Sequence, residues 1–132
     1  MDKLFREVLA KAMELVPAEA GAVLLDDPLT KAPDPAANEL HCVAAVGPAA
    51  ATRVGRAVSA NVGAAGWAYR TSAPYRCVGS EGAKGPSGDG DAVVVRDIIA
   101  APIIIRESVC GALELTDRLD GKGFDEHDVV LL

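Results

Sequence analysis

Three cysteines, Cys42, Cys77 and Cys110, are the side chains here best suited to nucleophilic or redox chemistry. A reactive thiol needs solvent access, a neighbour that favours the thiolate and, for redox turnover, a resolving partner. The three form no CxxC pair, and Cys42 and Cys110 fall in strand-like apolar surroundings, where cysteine is a small buried hydrophobe more often than a reagent. Cys77 stands beside a polar stretch and could border a pocket. Metal chemistry has less to build on. His41 and His127 have no HxxxH or HExxH company. Asp89-Gly90-Asp91 lacks the other ligands of a calcium loop, and the acids Asp125, Glu126 and Asp128 suit the positive end of a helix without any metal. There is no Walker sequence, Gly-x-Ser-x-Gly or dinucleotide fingerprint. Neither an enzyme nor a metal site is expected.

The elements that must position these residues follow from periodicity. From Asp2 to Val16, apolar side chains recur at helical spacing opposite Lys3, Arg6, Glu7, Lys11 and Glu14, and Pro17 ends the helix. Ala22 to Leu25 reads as a short buried strand and Leu40 to Val46 as a second, joined by a turn-rich connection with three prolines. The segment Thr52 to Ser59 alternates only weakly. After it, Gly63 and Gly66 flank small residues, which permits a tight helix entry or close backbone packing, and the helix ends before Pro74. Tyr75 to Val78 is a third strand. Gly79 to Asp91 has no core-forming side chain and predicts a mobile loop within the domain. Ala92 to Leu115 is rich in β-branched residues and interrupted at Arg106-Glu107-Ser108, the pattern of two long antiparallel strands, with Pro102 marking an edge, a bulge or a strand start. Asp125 then caps a closing helix, with Phe124 stapled onto Val129.

A chain of 132 residues supplies one hydrophobic core, and an aromatic content of 4% means that core is built from Val, Ile, Leu and alanine fillers. A net charge of −6 argues against nucleic-acid binding by this segment and against membrane-surface binding. An odd number of cysteines and an amphipathic start in place of a signal peptide suit reduced thiols and a cytoplasmic location. The terminal Val129-Val130-Leu131-Leu132 has no evident cover, so residues 1–132 read as a single domain cut from a longer regulatory protein.

Four segments, in order, carry a resemblance: Val62-Gly63-Ala64-Ala65-Gly66-Trp67-Ala68, Ala101-Pro102-Ile103, Gly111-Ala112-Leu113-Glu114-Leu115, and Phe124-Asp125-Glu126-x-Asp128. Together the chain resembles the GAF family of sensory domains. The resemblance implies an α+β fold related in architecture to PAS domains. A central antiparallel sheet of about six strands would carry terminal helices on one face, with loops and short helices over a ligand pocket on the other. It suggests Ala65, Tyr75, Cys77, Ile99 and Ala101 as wall residues of a pocket for a small molecule. No one ligand or cofactor is implied, because members bind cyclic nucleotides, bilins, haem or metabolites, and others mainly dimerise. Where cyclic-nucleotide binders carry Asn-Lys, Phe and Asp-Glu, this chain has Asp117-Arg118, Phe124 and Asp128-Val129. The alternative of a free methionine-sulfoxide reductase-like thiol enzyme is disfavoured by Ala65, which stands where such enzymes have cysteine, and by the absence of cysteine from Gly79 to Asp91. The other alternative is a ligand-free scaffold. The wide apolar stripe of the first helix points to a homodimer through the terminal helices, coupled to an attached output domain.

Overall fold

The computed structural model describes residues 2–47, 50–78 and 97–118. The long loop expected over residues 79–91 and the closing helix capped by Asp125 lie outside them.

The first apolar stripe folds as helix α1 (Asp2–Leu15). It is followed by strand β1 (Ala18–Leu25) and, after a single 3-10 turn at Pro35–Ala37, by β2 (Glu39–Val46). β1 starts four residues before the predicted Ala22 because Gly21 does not break it. A Cβ there would come within 2.9 Å of both Leu115 and Leu9, so Gly21 is where β1 passes beneath α1. The weakly alternating segment becomes a four-residue helix, α2 (Ala50–Arg53), and a three-residue strand, β3 (Ala57–Ser59). Helix α3 (Gly63–Thr71) and strand β4 (Tyr75–Val78) lie where expected. The long hairpin is β5 (Asp97–Ile105) and β6 (Ser108–Arg118). Its turn is only Arg106-Glu107, both with positive φ (53° and 67°), the handedness that matches strand twist in a two-residue hairpin.

All pairings are antiparallel, and the sheet order is β3-β2-β1-β6-β5-β4. β4 pairs with Asp97 to Ala100, so among the described residues the stretch of β5 containing Pro102 has only β6 as a strand neighbour, the edge setting that a residue without an N–H needs. Two bulges break the registers. Val43 is the extra residue of β2 against β1, and Cys110 the extra residue of β6 against β5.

The sheet separates two layers. On one face α1 lays Phe5, Leu9, Ala12 and Val16 over Val23, Ala44, Ile99, Leu113 and Leu115. On the other, α3 packs Ala64, Ala65, Ala68 and Tyr69 onto Ala22, Leu24, Leu40, Cys42, Ile98, Ala100 and Ala112. The wide α1 stripe is therefore divided. Phe5 and Val16 enter the core, while Leu4, Val8 and Leu15 stay exposed.

Candidate functional site

The face under α3 holds the unusual chemistry, and backbone register puts it there. Glu114 on β6 stands opposite Ala22 of β1 and Ala100 of β5, both inner-layer residues, so its side chain shares their face. It is 1% exposed, in the middle of a floor of alanine methyl groups. A buried carboxylate requires a counter-charge. Arg53, the last residue of α2, supplies it through a direct Nη2-to-Oε1 hydrogen bond, with the Arg53 side chain 15% exposed. The Cys42 thiol lies in the same electrostatic environment. Burial pushes its pKa up, Arg53 opposes that and Glu114 reinforces it, and the thiol donates to the Ala44 carbonyl at 3.4 Å.

A second polar group fastens α3 to the sheet. The Tyr69 hydroxyl, fully buried, donates to Asp26 Oδ2 at 2.7 Å and accepts from Asn38 Nδ2 at 2.9 Å. Asn38 Oδ1 in turn accepts from the Ala32 N–H at 2.6 Å. Lys31 Nζ closes the group, 3.0 Å from Asp26 Oδ2 and donating to the Val109 carbonyl at 2.7 Å. Burial and the adjacent Asp26 carboxylate push the Tyr69 pKa up to about 12. The turn-rich connection between β1 and β2 is thereby pinned at Asp26, Lys31 and Asn38. Cys110, at its bulge, neighbours this group. Burial and Asp26 raise its thiol pKa, and Sγ donates to the Ile103 carbonyl at 3.5 Å.

The two glycines of α3 set its distance from its surroundings. Gly63 has φ of +76°, and a Cβ on Gly66 would sit 2.7 Å from the Ala60 carbonyl oxygen. Both expected uses of glycine, tight entry and close packing, thus occur in the same turn.

Of the predicted wall residues, Ala65 lies in the α3 layer and Tyr75 packs against it. Tyr75 also meets Trp67, with ring centroids 5.5 Å apart and planes tilted by 54°. Cys77 lies in β4, its backbone paired with Ile98. Ile99 belongs to the opposite layer, under α1, and Ala101 pairs with Leu113 of that same layer. The β5 residues that face α3 are instead Ile98 and Ala100. Sequence reasoning did not anticipate Asp26, Lys31, Asn38, Arg53, Tyr69 and Glu114 as a polar set. The one available signal was Glu114, an acid amid the apolar residues of a long strand.

No cluster of three or more candidate metal ligands occurs among the described residues, and none of their helices is long and apolar enough to cross a membrane.

Comparisons with known proteins agree with this architecture. The GAF-B domain of DevS from Mycobacterium smegmatis superposes with a TM-score of 0.70 at 22% identity, over 98% of this chain and 82% of that one. A methyl-accepting chemotaxis protein gives 0.75 at 17% identity, covering 98% and 79%. The free methionine-R-sulfoxide reductase of Neisseria meningitidis, solved with its substrate, gives 0.71 at 17% identity, covering 98% and 70%. At such identities the likeness establishes the fold. No curated protein matches the chain in sequence. The family model described as GAF domain, a family of generally sensory and regulatory domains, matches residues 1–132, and the chain belongs to the GAF domain family.

Proposed function

We propose that this chain is a sensory module that binds a small molecule on the α3 face of its sheet and reports occupancy to an attached output domain. The observation that carries the reading is the Arg53–Glu114 pair buried on an alanine floor. A buried ion pair is poor value as a stabiliser, because apolar residues of the same volume commonly serve as well or better. Its retention at the centre of the sheet suits recognition of a polar ligand. Cys42 and Cys110 do not suit nucleophilic catalysis, because burial raises the pKa of both and leaves these thiols less nucleophilic than free cysteine. A cytoplasmic site of action belongs to the same reading.

A thermal-shift screen of nucleotides, tetrapyrroles and metabolites tests it. A ligand at 100 times its Kd stabilises the native state by about 2.7 kcal/mol. Stabilisation by at least one compound, lost in Glu114→Gln, is the expected result; a screen with no stabilising compound overturns the reading.

A second reading, a homodimerising scaffold, is favoured by the exposed α1 stripe of Leu4, Val8 and Leu15, spaced to form one seam. Sedimentation at micromolar concentration is expected to show a dimer that Val8→Glu dissociates. A monomer mass independent of dilution would remove it.

A further inference from the structure

We propose that the connection between β1 and β2, residues 26–38, is a hinged strap latched at the surface by Lys31, and that its opening and the seating of the last turn of α3 are one motion, joined through the Tyr69 hydroxyl. The proposal holds whether or not a ligand occupies the α3 face. No residue from 27 to 37 is buried, and Leu29, the strap's largest apolar side chain, is 94% exposed. Apolar burial therefore does little to hold the strap down. Its turns close on themselves: Leu29 N–H donates to Asp27 Oδ1, Thr30 N–H to the Asp27 carbonyl and Ala37 N–H to the Asp34 carbonyl. Pro28, Pro33 and Pro35 have no N–H and a restricted φ, so the strap moves as a body. Among the described residues, the one hydrogen bond from residues 27–37 to anything beyond the two ends of the strap is that of Lys31 Nζ to the Val109 carbonyl on β6.

The two ends are fixed points. Asp26 N–H donates to the Cys110 carbonyl at 2.8 Å, and Ala60 N–H donates to the Asn38 carbonyl at 2.9 Å. Asp26 and Asn38 are both buried, and both bond to the same hydroxyl, since Tyr69 donates to Asp26 and accepts from Asn38. Lys31 and Tyr69 also share one atom, Asp26 Oδ2. The Lys31 side chain is 31% exposed and finds water when it leaves, whereas the Asp26 side chain is 3% exposed and loses its counter-charge. A buried carboxylate in that state draws in water or swings out, and either change weakens its bond to Tyr69. Ala64 and Ala65 keep the front of α3 on the sheet, so the effect falls on its last turn. In the other direction, displacement of Tyr69 loosens both ends of the strap. A surface turn carrying Leu29 thereby follows the position of α3.

Amide hydrogen exchange followed by NMR on the whole chain tests the proposal. The Ala32 N–H, which donates to Asn38 Oδ1, reports the strap, and the amides of Ala68, Tyr69 and Arg70 report the last turn of α3. Those of β1 and β6 report unfolding of the whole domain. Lys31→Met should speed exchange at Ala32 and at residues 68–70 together, by about tenfold or more, because the latch is broken in the open form. Val16→Ala, in the α1 layer, should speed the β1 and β6 amides and leave Ala32 and residues 68–70 unchanged, because that layer stays packed when the strap opens. Three results overturn the proposal: Ala32 exchange unmoved by Lys31→Met, residues 68–70 unmoved while Ala32 speeds up, or all three groups of amides responding alike to Val16→Ala. If Lys31→Met does not fold, Tyr69→Phe takes its place. It keeps the ring and should speed Ala32 exchange by a similar factor; an unmoved Ala32 amide then overturns the proposal.

Discussion

Replacing Tyr69 by Phe removes one oxygen atom from the buried polar group and leaves the ring in place, so no cavity confuses the result. The hydroxyl donates to the Asp26 carboxylate and accepts from Asn38. Loss of a hydrogen bond to a charged group costs about 1.5–3 kcal/mol and of a neutral one about 1 kcal/mol, so Tyr69→Phe should lose roughly 2–4 kcal/mol at pH 8. That is a large share of the ~5–15 kcal/mol typical of a domain. The alkaline limb gives an independent check. With its pKa raised from 10.0 to about 12 in the native state, Tyr69 stays protonated after the unfolded chain has begun to ionise. Its contribution is complete well below pH 10 and declines between the two pKa values, with a slope approaching roughly 1.4 kcal/mol per pH unit. Urea denaturation followed by the fluorescence of the sole tryptophan, Trp67, measures both proteins, and their difference cancels every other titrating group. The stability gap should narrow by about 1 kcal/mol between pH 10 and 11. A cost below about 0.5 kcal/mol at pH 8, or a gap of constant width across the alkaline range, would refute the assignment of Tyr69 as a buried neutral donor.

Gly66→Ala places a methyl group 2.7 Å from the Ala60 carbonyl oxygen, against backbone that cannot rotate away. Overpacking of about 1–3 kcal/mol should outweigh the ~0.5–1 kcal/mol gained in helix propensity, and urea melts should show net destabilisation. Glu107→Gly relieves a left-handed non-glycine residue in the β5–β6 turn, and calorimetry should find the variant more stable by up to about 1 kcal/mol. In a Cys77→Ser background, Cys42 and Cys110, both with raised thiol pKa, should react slowly with an aromatic disulfide at pH 8 and fast in denaturant. Native labelling as fast as that of a free thiol would contradict their packing.

The elements that sequence made plain are those whose period is long enough to have a phase. Helix α1 and the β5–β6 hairpin fall in this class, and β4 has clear punctuation on its N-terminal side at Pro74. The four-residue α2 and three-residue β3 are too short for any period and were seen only as weak alternation. Gly21 reads as a breaker although it is a packing residue, which hid the first half of β1. At the site the limit is different. Ile98-Ile99-Ala100-Ala101 is apolar throughout, so nothing in it says which members face α3, and Ile99 faces the other way. Glu114 alternates with Leu113 and Leu115, which alone suggests a solvated acid. Only the central place of β6, with a helical layer on each side, buries it. Asp26 and Asn38 have the look of ordinary turn residues until Tyr69, distant in sequence, is brought between them.

The pairing of β1 with β6 has a consequence for how the chain is made. Partners such as Ala22 and Glu114 lie about 90 residues apart, so the middle of the sheet is its least local contact and carries its largest loop-closure cost. During synthesis β1 emerges early with β2 as its only strand neighbour, and its other edge remains an open template until β6 has left the ribosome. At ~5–20 residues per second that interval is on the order of 5–20 s, ample for a wrong strand to add. The same seam makes expression yield sensitive to whatever slows translation between the two strands, independently of the stability of the finished domain.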